Sequence, residues 1–256
     1  MLTSERNVID LKTISEIAKA YNTLDYVPQL RILLSSVISE KKIKKLTKRD
    51  LHKEINRLLL ESYEGEQVLK YRLFQEFKKK DLVAAYEMKV KNSRVDFLTV
   101  NGHTTSYEIK SNLDNLYKLA KQSSDYLSAF ELNNIVVHER HLEKSLEIIP
   151  NNFGVITFNK HGHTIIRKPV FNKSFDAQSQ LSLLSKKELL KGFNMAITDE
   201  ILEVFDFQEI NTIFKELLKL RYAQRWGFIK QHARNILPID IQFFFNTNVS
   251  PEIIYS

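Results

Sequence analysis

The sequence contains no cysteine, and that absence removes several chemistries at once. There is no disulfide scaffold, cysteine nucleophile, iron-sulfur cluster or thiolate zinc site, so any metal rests on oxygen or imidazole ligands. Glycine is scarce, six in 256 residues, and none sits in a phosphate-cradling loop. The P-loop and dinucleotide fingerprints are therefore missing, which sets aside kinases and nucleotide-dependent dehydrogenases. No apolar run approaches the ~18 residues a membrane helix needs. The stretch from Met1 to Asp10 carries Glu5, Arg6 and Asp10 where a secretion signal needs uninterrupted apolar residues. These absences lead us to expect a soluble cytoplasmic chain with no membrane partner.

What is present is basic. Lys and Arg number 38 against 31 Asp and Glu, a net charge of +7, which points toward a polyanionic partner. The cations cluster at Lys41–Arg49 and Lys78–Lys80, with a looser group at Arg221, Arg225, Lys230 and Arg234. Each group also has the pattern of a solvated helix face.

From Ile9 to about Lys80, apolar residues recur at three- and four-residue intervals, as in the stripe Ile14, Ile17, Ala18 and Tyr21, and predict helices. Thr47, with Asp50 three residues on and then Leu51, Ile55, Leu58 and Leu59, predicts a capped helix of about four turns. The texture then changes to β-branched and aromatic segments, Leu82–Val90, Arg94–Val100, Thr104–Lys110, Asn134–His138, Gly154–Phe158 and Thr164–Lys168, each predicting a strand. Helix is expected over Asn112–Phe130 and again from Leu181 to about Asn235. The order is an α/β pattern in which an antiparallel meander leads into a crossover. We expect a helical region over 1–63, a core over 64–175 and a second helical region over 176–256. The pair His161 and His163 brackets Gly162 and reads as a hairpin turn rather than a metal site.

One segment stands apart, Arg94-Val-Asp96 through Glu108-Ile-Lys110. Two predicted strands flank a turn, and alternation puts Glu108 and Lys110 on one face with Tyr107 and Ile109 on the other. A two-residue Asn101–Gly102 loop turns Asp96 away from Glu108. A three-residue loop that includes His103 sets residue 96 opposite 108, and this second register is the one we expect. Two carboxylates with a nearby lysine suit phosphodiester hydrolysis. The carboxylates hold Mg²⁺ or Mn²⁺ through oxygen, the Ile109 carbonyl completes the coordination, and Lys110 orients or deprotonates the attacking water. The same spacing also describes an exposed hairpin with a cross-strand ion pair.

Asp96, an eleven-residue gap and then Glu108-Ile-Lys110 together resemble the PD-(D/E)xK nuclease superfamily. Its restriction-endonuclease-like core has the same order of helix, three-strand meander, helix and strand. Val95 stands where some members have proline. The resemblance implies that Glu87, in the preceding strand, supports the metal, and that Gln122 and Tyr126, similar to the QxxxY element of the RecB-like branch, organise the site and the phosphate backbone. It covers roughly residues 64 to 168. The implied activity is a metal-dependent nuclease acting on DNA, with Asp96, Glu108 and Glu87 as metal ligands, helical additions at both ends, and a homodimer or partner protein engaged through those ends. Two other readings stay open: a non-catalytic nucleic-acid-binding or regulatory protein on a nuclease scaffold, and an unrelated α/β domain whose Asp96 and Glu108 face opposite sides.

Overall fold

The computed structural model describes residues 9–159 and 162–256. In chain order the elements are α1 (Leu11–Ala20), α2 (Val27–Leu34), α3 (Glu40–Ile43), α4 (Lys48–Ser62), α5 (Glu66–Phe77), β1 (Val83–Val90), β2 (Ser93–Asn101), β3 (His103–Lys110), α6 (Leu119–Leu127), β4 (Leu132–His138), α7 (Leu142–Ile148), β5 (Gly154–Asn159) and β6 (Gly162–Arg167). Then come α8 (Ala177–Ser182), α9 (Lys186–Phe193), α10 (Thr198–Val204), α11 (Phe207–Gln231), α12 (Ile241–Thr247) and α13 (Pro251–Tyr255). Two units divide the chain: residues up to Tyr71 together with Ile229–Ser256, and Arg72–Phe228.

The first unit is helical. Asp10 caps α1 by accepting from the Thr13 N–H at 2.9 Å, and Thr47 with Asp50 forms the capping box at the start of α4 that their spacing predicts. Ile14, Ile17, Leu30, Leu34, Leu51, Ile55, Leu58 and Leu59 meet in its core. Beside them lies a buried polar cluster on Asp240. This carboxylate accepts from the hydroxyls of Tyr255 at 2.6 Å, Thr23 at 2.8 Å and Tyr21 at 3.0 Å. The Tyr21 oxygen accepts in turn from the Asn56 amide at 3.2 Å and lies 2.8 Å from His52 Nδ1. Since Tyr21 gives its proton to Asp240, His52 carries its own on Nδ1.

Three-part division by sequence misses this arrangement. A buried carboxylate needs several donors, and here they come from both ends of the chain, so the last 28 residues join the N-terminal helices. Residues 176–228 remain instead with the sheet-bearing unit.

That second unit is α/β, a six-stranded mixed sheet in the order β1 to β6 flanked by helices. β1, β2 and β3 are antiparallel, β3, β4 and β5 parallel, and β6 antiparallel to β5. On one face Tyr86, Phe97 and Tyr107 stand side by side, with ring centroids 5.0 and 5.9 Å apart, and Phe77 of α5 and Trp226 of α11 pack onto them. Glu131, ahead of β4, fastens α11 to the sheet by accepting from the Thr104 N–H at 2.7 Å, Asn211 Nδ2 at 2.9 Å and Lys215 Nζ at 3.1 Å.

The helix expected over 112–130 is shorter, because Asp114 turns back to accept from the Ser111 N–H at 2.7 Å and holds the chain in a turn ahead of α6. The stretch expected as helix from Leu181 is broken into α8 to α11. Of the expected hairpin turn between β5 and β6, His161 lies outside the described residues, while Gly162 takes a φ of 142°. Among the described residues no helix is long and apolar enough to cross a membrane.

His52 is fully buried, and burial, aided by Lys48, holds its pKa at about 4 against an ordinary 6.5. A base with a depressed folded pKa adds stability above its unfolded value and loses it as pH falls, here between about 6.5 and 4. At ~1.36 kcal/mol per unit the loss reaches about 3 kcal/mol by the lower end. Urea denaturation at several pH values should show a steeper acid decline in the wild type than in His52→Gln, and parallel curves would refute this assignment.

Candidate active site

The site begins with strand register. β1 pairs with β2 through Tyr86 opposite Phe97 and Met88 opposite Val95, and β2 with β3 through Phe97 opposite Tyr107. Of the two registers the turn allows, this is the one that sets residue 96 level with 108. Gly102 stands alone at the tip between paired Asn101 and His103, with φ 71°. The next level of the sheet therefore carries Glu87, Asp96 and Glu108 across three adjacent strands, on the face opposite the aromatic row. The arrangement with Asp96 and Glu108 on opposite faces does not occur. Pairing lapses at this level, and Glu87 takes a left-handed φ of 56°.

A carboxylate oxygen of Glu87 lies within 4.8 Å of one of Asp96. Asp96 Oδ2 also accepts from the Ile109 N–H at 2.7 Å, and Arg94 Nη1 lies 3.8 Å from Glu87 Oε2. Glu108, only 1% exposed, has each oxygen engaged: Oε1 accepts from Lys110 Nζ at 2.5 Å, and Oε2 lies 2.5 Å from the Tyr126 hydroxyl. That hydroxyl is also 2.8 Å from the Arg94 carbonyl oxygen, so its single proton serves one acceptor at a time.

Burial works against the Lys110 charge, but Glu108 foremost and then Asp96 outweigh it and raise its pKa. Lys110 is an ammonium at neutral pH. Burial, reinforced by Glu108, Asp96 and Glu87, pushes the Tyr126 hydroxyl well above its ordinary pKa and keeps it protonated. Glu108 and Asp96 thus act on both donors, and Glu87 on Tyr126 as well.

The helix α6 brings Gln122 and Tyr126 to one side, one turn apart. It is pinned by Asp125, which accepts from Ser93 Oγ at 2.6 Å and Lys121 Nζ at 3.0 Å. Gln122 Oε1 is buried and has no partner among the described residues.

These residues fit a hard divalent cation, which takes oxygen ligands and keeps some of its waters. Glu87 and Asp96 offer carboxylate oxygens within 4.8 Å of each other. Sequence reasoning named Asp96 and Glu108 as the leading pair; the structure sets Asp96 within 4.8 Å of Glu87 and ties Glu108 to Lys110 and Tyr126. The expected Ile109 contribution was its carbonyl; what the structure engages is its N–H, toward Asp96. The Arg94 carbonyl was not anticipated, since nothing in a side-chain pattern marks a main-chain acceptor.

A family model described as Bacteriophage P4 protein cII matches residues 55–244. The chain belongs to the bacteriophage P4 protein cII family. The matched span takes in the whole six-stranded sheet and every site residue in this P4 cII family member. No curated protein matches the chain. Among solved structures it is similar to the SPO1766 protein of unknown function from Silicibacter pomeroyi, at 17% identity over 61% of this chain and 90% of that one, with a TM-score of 0.33.

Two substitutions test this geometry. Tyr126→Phe withdraws a donor from a buried carboxylate and should cost about 1–3 kcal/mol in chemical denaturation; unchanged stability would mean the hydroxyl is not bonded as described. Glu87→Gly relieves the left-handed backbone and should raise stability by about 1 kcal/mol or less, the steric relief being partly offset by glycine's entropy. A clear loss of stability there would contradict the strained conformation.

Proposed function

We propose that this chain is a metal-dependent nuclease of the PD-(D/E)xK type, with a restriction-endonuclease-like core, that hydrolyses phosphodiester bonds of DNA. The observation that carries the reading is the level of Glu87, Asp96 and Glu108 across three strands, with Lys110 and Tyr126 bonded to the third. The order α5, β1–β2–β3, α6, β4 supports it, as does the net charge of +7. The family description names a phage protein and no reaction, so the reading rests on the residues.

Glu87 and Asp96 would hold Mg²⁺ or Mn²⁺, with the Ile109 carbonyl as a further ligand. When bound, such a cation neutralises phosphate charge and acidifies a water. Asp96 is held in place for this by the Ile109 N–H. Glu108 keeps a second lone pair on each bonded oxygen, so it can join the ligand set while fixing Lys110. Lys110, as an ammonium, orients the attacking water and offsets charge gathering on the phosphoryl oxygens. Tyr126 and Gln122 hold Glu108 and the adjacent backbone phosphate in position.

A second reading is a nucleic-acid-binding protein without catalysis. It is favoured by one observation, that Glu108, Lys110 and Tyr126 already satisfy one another. Incubating the protein with plasmid, linear and single-stranded DNA in Mg²⁺, Mn²⁺ or EDTA separates the two. We expect metal-dependent cleavage that falls at least ~100-fold in Asp96→Asn and in Lys110→Gln. Cleavage surviving both substitutions would overturn the site, and a folded wild type that cuts none of the substrates would establish the second reading.

A further inference from the structure

Beside the acidic level lies a cleft of about 390 Å³ lined by Glu87, Met88, Lys89 and Lys91 on one side and Ser182, Leu183, Arg221 and Tyr222 on the other. Glu87 belongs to both features: it lines the cleft and lies within 4.8 Å of Asp96. We propose that this cleft binds the sugar-phosphate backbone of a nucleic-acid strand next to the bond to be cut, an inference that rests on the nuclease reading of the neighbouring carboxylates.

The charge pattern carries the argument. Three carboxylates at one level repel a polyanion, so a strand can approach them only if cations nearby offset that repulsion. The cleft supplies Lys89 and Lys91 against the carboxylate of Glu87, the charge of Arg221 being paired with Glu188. Lys89 and Lys91 are exposed, and among the described residues neither has an ion-pair partner. Two solvated ammonium groups at one rim are what a phosphate exchanges for its counterions. Lys91 holds a left-handed φ of 50° in the β1–β2 turn, a conformation that residues other than glycine and asparagine rarely adopt.

Arg221 has a different role. Its Nε and Nη2 each lie 2.6 Å from a Glu188 carboxylate oxygen, and Nη2 also donates to the Leu183 carbonyl at 2.9 Å. It builds the far wall by fixing the end of α8 and the start of α9 to α11. The guanidinium also lies 5.7 Å from the Tyr222 ring. The volume lies at the small end of ligand clefts. It admits one sugar-phosphate unit rather than a duplex, which makes the occupant a single strand or one strand of an opened end.

The test uses fluorescence anisotropy with a labelled single-stranded oligonucleotide and its duplex, in EDTA so that nothing is cut, across a salt series. Lys89→Gln/Lys91→Asn removes both rim charges; asparagine is chosen at 91 because it tolerates the left-handed backbone. We expect single-strand binding about tenfold weaker, with the salt dependence of log K shallower by about 1.4, two contacts at ~0.7 each. Lys144→Gln/Lys173→Gln, equal in charge and outside the cleft, should leave both quantities unchanged. Wild-type affinity in the first variant, or an equal loss in the control, would overturn the proposal. So would a loss confined to the duplex. The arms separate the two claims: if the wild type fails to cut in Mg²⁺ or Mn²⁺ yet the rim variant loses binding, the nuclease reading falls and the cleft stands. Retained cutting with unaltered binding does the reverse.

Discussion

The register of the β1–β2–β3 meander is the constraint on which the rest depends. Successive strand residues face opposite sides, so the pairing that stacks Tyr86, Phe97 and Tyr107 against Phe77 and Trp226 also sends Glu87, Asp96 and Glu108 to the other face. A slip of one residue between β2 and β3 would bury Asp96 among aromatic rings and turn Phe97 outward, at a cost of several kcal/mol for the charge alone. Packing and chemistry therefore select the same alignment. Gly102, with its positive φ at the tip, is the local device that makes the turn.

Three buried carboxylates show how environment decides what an acid does. Asp240 is met by hydroxyls, which lower its pKa, yet burial outweighs them and the pKa rises. Burial also raises the pKa of Glu131, but the Asn211 amide foremost, then the Thr104 N–H and the Lys215 ammonium, outweigh it, and the pKa falls. Among the donors that lower it is a cation, whereas the hydroxyls on Asp240 are neutral. The first arrangement gathers the chain's two ends, the second fastens α11 to the sheet. Glu108 also accepts from a cation, Lys110, but a carboxylate, Asp96, stands one strand away and a second, Glu87, two strands away. A buried acid with other carboxylates on the neighbouring strands differs from a structural ion pair, and that is what makes this level a candidate site.

Much of this was legible in sequence where the signal is local. All six strands lie within three residues of their expected positions, and the Thr47–Asp50 capping box forms because its spacing is short-range chemistry. The alternation of Glu108, Ile109 and Lys110 was equally readable. What was not legible depends on distant partners. Asp240 offered no hint that it would collect Tyr21 and Thr23 from the far end of the chain. Ser111 and Asp114 shortened the helix expected from 112 by a side-chain turn that periodicity does not register. Glu87 was read as a supporting residue, yet its place beside Asp96 depends on a backbone conformation that no propensity predicts for glutamate.

That conformation also links the acidic level to the cleft beside it. A left-handed glutamate inside a strand contradicts every local preference, and such strain persists where surrounding structure over-determines it. Here the regular pairs on either side, Tyr86 with Phe97 and Met88 with Val95, keep the strand in register through the distortion. Regular backbone at Glu87 would complete the ladder. The distorted backbone gives up that pairing and presents the carboxylate both to Asp96 and to the cleft that Lys89 and Lys91 line. Stability is conceded at the one residue shared by the acidic level and the basic rim, and in the proposed function that residue aligns an anion-repelling centre with the cations that would let a phosphate reach it.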